Sequence, residues 1–78
     1  MSKLSPIDWQ TLSKVFEADG FQFVRQSGSH RIYVKHGSTR PLVIPAHDSV
    51  SVGVIKSNLK TAGMSRDRFF ELLKMVKS

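Results

Sequence analysis

The chain has 78 residues and no cysteine, so neither a disulfide nor a thiolate metal site can brace a fold this small, and packing must hold it together. Long apolar runs are missing too. No stretch approaches the roughly 18 consecutive apolar residues of a membrane span, and the opening Met1-Ser2-Lys3-Leu4-Ser5-Pro6 lacks the hydrophobic segment of a secretory signal. The expectation is a cytoplasmic protein with no membrane partner. Repeats, low-complexity tracts and linkers are absent as well, so residues 1–78 are expected to form one domain.

Acidic residues are scarce. Six Asp and Glu stand against twelve Lys and Arg, a net charge of +6. Between Gly20 and Ala62, Asp48 is the sole acid against Arg25, Arg31, Lys35, Arg40, Lys56 and Lys60, so this middle alone carries +5. Such a balance suits a polyanionic partner, nucleic acid or an acidic protein, and equally a basic surface kept for solubility. With three histidines 6 and 11 residues apart and one acid nearby, a convergent metal site is not expected, nor is any cofactor. Gly28-Ser29-His30 is no phosphate loop, because it joins two strands and opens no helix.

What is present is enough apolar content, 40%, for a compact core. Ser5-Pro6-Ile7-Asp8 has the form of a helix start, with Ser5 as N-cap, Pro6 at the first helical position and Asp8 answering the free amides. Trp9, Leu12, Val15 and Phe16 recur at helical spacing up to Gly20, whose conformational freedom ends the helix. Phe21 to Gln26 alternates like a strand with Phe21 and Phe23 inward. Ser27-Gly28 turns the chain into a second strand, His30 to Lys35, with His30, Ile32 and Val34 on one face and Arg31, Tyr33 and Lys35 on the other. After a turn at Gly37-Ser38-Thr39, Leu42-Val43-Ile44 forms a third strand stopped by Pro45.

Val52, Ile55, Leu59 and Ala62 then mark one face of a helix ended by Gly63. Ser65 caps a last helix with Phe69, Leu72, Leu73 and Val76 inward. The reading is an α+β fold of two layers. A three-stranded antiparallel sheet carries helices on one face in the order α-β-β-β-α-α, and its other face is left open. The leading αβββα stretch is the order of double-stranded-RNA-binding domains.

Imidazole is the side chain suited to proton transfer near neutral pH. His30 follows Gly28-Ser29 at a strand start, where flexible backbone and the Ser29 hydroxyl leave room for a phosphate that Arg25, Arg31 and Lys35 could hold. RNA cleavage needs no metal if a base removes the 2′-OH proton and cations offset charge gathering on the phosphate. Position alone favours the plainer reading of His30, a half-buried strand residue bonded to its neighbours. His47 reads as a loop residue capping the second helix or as a further acid–base group, with the structural role preferred, and His36 as an exposed hairpin residue. A Ser29-His30-Asp48 triad is set aside, since adjacent strand residues point to opposite faces.

Gly20-Phe21 leading to Val24-Arg25-Gln26, then Gly28-Ser29-His30, Val43-Ile44-Pro45-Ala46-His47 and the helix from Gly53 to Gly63 together resemble the HicA mRNA-interferase toxins across nearly the whole chain. The resemblance implies a fold like that of double-stranded-RNA-binding domains, mRNA cleavage by His30, and neutralisation by a HicB-type antitoxin. RNA contacts are expected from Arg25, Ser29, Arg31, Lys35, Lys56 and Lys60. The chain departs from the family where Gly53-Val54-Ile55 stands in place of the usual Gly-Thr-Leu. The alternative function is a non-catalytic RNA-binding module, in which Tyr33 would stack on a base.

Overall fold

A computed structural model of the chain describes residues 3–77. Its elements run α1 (Trp9–Ala18), β1 (Gln22–Ser27), β2 (His30–Val34), β3 (Leu42–Pro45), α2 (Val52–Ala62) and α3 (Arg66–Lys77). The strands form one antiparallel sheet in the order β1-β2-β3, so the α+β meander expected from the sequence is the fold.

Local signals account for most boundaries. Gly63 adopts φ 65° at the end of α2, the left-handed conformation that closes a helix at little cost only for glycine. Ser65 Oγ accepts from the Arg68 amide at the start of α3. The start of α1 differs from expectation. Asp8, and not Ser5, is the N-cap, its carboxylate accepting from the Thr11 backbone amide and hydroxyl. The preceding residues are extended instead, because Ile7 exchanges backbone hydrogen bonds with Val50 in an isolated bridge.

The Thr11 amide and hydroxyl hold the Asp8 carboxyl below the usual carboxylate range. A depressed carboxyl pKa contributes stability that is full above the ordinary value and fades as pH falls through the folded one. Asp8→Ala is therefore expected to cost about 1 kcal/mol at pH 7. In paired thermal melts the gap from wild type should narrow toward pH 3; a gap independent of pH would show that the carboxylate is not the cap.

The core joins α1 (Leu12, Val15, Phe16) to β2 and β3 (Tyr33, Leu42, Ile44), α2 (Ile55, Leu59) and α3 (Phe69, Leu72). In β2 the row that faces the helices is the polar-looking one. Tyr33 is fully buried, its hydroxyl sharing hydrogen bonds with Ser13 Oγ and Arg31 Nε, which corrects the idea of Tyr33 as a base-stacking platform. Phe23, expected inward, is 43% exposed. Its ring meets the Arg31 guanidinium, 4.1 Å from the ring centroid, and the edge of the Tyr33 ring. α2 lies against the edge strand β3, where Asn58 Nδ2 donates to the Val43 carbonyl at 2.9 Å.

Candidate active site

Register decides what surrounds His30. As the first residue of β2 it pairs with Ser27 on β1 and Pro45 on β3, so the end of β3 and the loop beyond it are brought alongside. That loop is pinned through its backbone. The Ala46 amide donates to the Ser29 carbonyl at 2.6 Å, the His47 amide to the Pro45 carbonyl at 2.8 Å, and the Trp9 amide to the His47 carbonyl at 3.2 Å. The tight Pro45–His47 turn bends the chain away from the strand direction while the His47 side chain stays exposed.

The result is a cleft of about 490 Å³ whose lining includes both His30 and His47. Val43 and Pro45 belong to its β3 side, Ser49 and Val50 to the loop, and Ser51 and Val54 to the first turn of α2. His30 is exposed, which corrects the half-buried reading: the helices cover the Tyr33 row, and His30 lies on the other face. Ser51 caps α2 by accepting from the Val54 amide at 3.3 Å, so His47 is not the cap of that helix. The first turn of α2 carries no acidic side chain, and the leading amides of any helix lack intrahelical acceptors. This end of the cleft therefore offers positive potential to an anion.

The cationic candidates do not all converge. Arg25 pairs with Ile32, one row along from His30 on the same open face, after an irregularity between Phe23 and Arg25 that resets the strand's alternation. Ser29 is an exposed turn residue next to His30. Arg31 is on the opposite face, its guanidinium 4.5 Å from the Trp9 ring centroid and bonded to Gln26 and Tyr33. Lys35, beyond the other end of β2, is paired with Asp19 at 3.1 Å.

Lys35 and Lys60 share a second cavity of about 390 Å³ with His36, Ser38 and Thr39. Lys56 is exposed on α2. Among the described residues no group of three or more His, Asp or Glu side chains is placed to hold a metal ion.

His47 is the residue whose place beside His30 was left open by the sequence. The signal was available: a hairpin turning at Gly37-Ser38 sets His30 against Pro45 and therefore brings His47, two residues on, to the same end of the sheet. The open face also exposes Val34 at 44% and Val43 at 39%, an apolar strip running away from the cleft.

The model of the family described as HicA toxin of bacterial toxin-antitoxin matches residues 9–64, which span α1 through α2 and contain the whole cleft. No curated protein matches the chain.

Proposed function

The chain belongs to the HicA toxin family of bacterial toxin–antitoxin systems, and on that premise we propose that it is an endoribonuclease that cuts mRNA with His30 as a general acid or base and is silenced by a HicB-type antitoxin. The observation that carries this reading is an exposed imidazole in a cleft that the matched region encloses. Among the described residues, the lining supplies imidazoles and hydroxyls but no carboxylate. That donor set suits proton transfer better than a hard divalent cation, which prefers carboxylate oxygens. The first turn of α2, Arg25 and Ser29 are the groups best placed to steady the phosphate whose charge grows in the transition state. Arg31 and Lys35, committed to aromatic and carboxylate partners, add to the general positive field, as do Lys56 and Lys60. The antitoxin fits the open face, where Val34 and Val43 give apolar area next to the cleft and a partner seated on them would cover His30.

The test uses purified protein and RNA in the presence of a chelator. New RNA ends are expected, and affinity for a non-cleavable analogue should fall steeply as salt rises from about 50 to 200 mM. A gel shift without new ends would favour a non-catalytic RNA-binding module, and salt-independent affinity would remove the electrostatic part of the proposal.

A further inference from the structure

Among the described residues, His30 and His47 are the only ionisable side chains lining the 490 Å³ cleft. The neighbouring ionisable groups, Arg25 on β1, Asp48 in the loop, Lys56 on α2 and Asp8 before α1, stand outside that lining. Cleavage of an RNA strand by its own 2′-hydroxyl needs two proton transfers, one from the nucleophile and one to the leaving oxygen. If His30 performs one, a single other side chain in the cleft can perform the second near neutral pH.

The backbone around His47 fits this task. The hydrogen bonds at Ala46, His47 and Trp9 tie the loop to the β1–β2 turn, to β3 and to α1, yet the His47 side chain is left exposed and is not spent on capping α2. A held backbone keeps the His47 imidazole at the cleft, and its uncommitted ring is available to exchange a proton with a bound substrate. From this juxtaposition we infer that His47 is the second catalytic group, working as a pair with His30; the inference rests on the ribonuclease reading above.

In the reaction, one neutral imidazole accepts the 2′-OH proton as the 2′-oxygen bonds to phosphorus. The bond from phosphorus to the 5′-oxygen breaks, and the other, protonated imidazole donates its proton to that oxygen. The products are a 2′,3′-cyclic phosphate and a 5′-hydroxyl end. The two imidazoles finish with their protonation states exchanged, and proton exchange with water resets them.

The experiment compares wild type, His30→Gln and His47→Gln on an RNA containing the bond that the wild type cuts. A second substrate carries sulfur in place of the bridging 5′-oxygen, so that its leaving group needs no proton. Wild type should give a bell-shaped pH–rate profile. On the oxygen substrate, His47→Gln should be slower by at least about 100-fold and lose one limb of the bell, with unchanged affinity for a 2′-O-methyl analogue. On the sulfur substrate, the variant lacking the acid should regain rate and the variant lacking the base should not.

A His47→Gln protein with the wild-type rate and both limbs intact would overturn the pairing, as would one whose only defect is weaker binding. A His30→Gln protein that still cuts would instead strike the underlying reading, so the two failures are separable.

Discussion

Replacing His30 by Ala is expected to slow RNA cleavage by about 10²- to 10⁴-fold and to relieve growth inhibition on expression, while the protein melts as the wild type does. The two halves of this expectation have different sources. The activity loss follows from removing an acid–base group from the cleft. The unchanged fold follows from exposure: the imidazole contributes nothing to the buried core, and surface substitutions of this kind usually stay within about 0.5 kcal/mol. β2 keeps its pairing with both neighbours, since that is made by backbone. Cleavage assays and thermal melts on one preparation check both halves. Undiminished cleavage would place the chemistry elsewhere, and a large drop in melting temperature would make His30 a structural residue.

Tyr33→Ala should have the largest effect on stability. The ring is fully buried where β2 meets α1, and emptying such a site costs about 3–5 kcal/mol. A chain of this length has only about 4–12 kcal/mol in total, so the variant is expected to be partly unfolded at 37 °C. Tyr33→Phe separates the hydroxyl from the ring. It keeps the packing but takes a partner from both Ser13 Oγ and Arg31 Nε, for a loss of about 1–3 kcal/mol. Urea unfolding followed by circular dichroism should rank the proteins wild type, Tyr33→Phe, Tyr33→Ala. Equal midpoints for the two variants would mean that the buried ring adds nothing beyond its hydroxyl.

The order of these effects bears on function. Tyr33 holds Arg31 in place on the helix-covered side of β2, and His30 occupies the first position of that same strand on the other side. A damaged Tyr33 is therefore expected to reduce activity through loss of folded protein, whereas a damaged His30 reduces activity per folded molecule. Dividing cleavage rate by the native fraction at each urea concentration distinguishes the two.

Much of the fold was legible in local sequence. Gly63, Ser65 and the 3.6-residue spacing of Leu12, Val15 and Phe16 act within a turn or two of chain, so helix ends and inner stripes follow from nearby residues alone. The start of α1 escaped this reading because Ile7 bonds to Val50, a partner distant in sequence that draws the segment into an extended form. Phe23 escaped it for a related reason. Alternation says which residues share a strand face, but not how fully each is covered there, and Phe23 stays 43% exposed.

By itself, then, the order of residues determined the composition of the elements, the meander of three strands, the basic character of the middle and His30 as the histidine to test. Tertiary structure alone decided that the row bearing Tyr33 is the covered one, that Arg31 is held among aromatic rings away from the cleft, and that His47 stands with His30. The physical reason is range. Caps and periodicity are settled by neighbours along the chain, whereas cover and convergence depend on which distant segments pack together, and here a loop anchored to α1 and the β1–β2 turn sets the second imidazole beside the first.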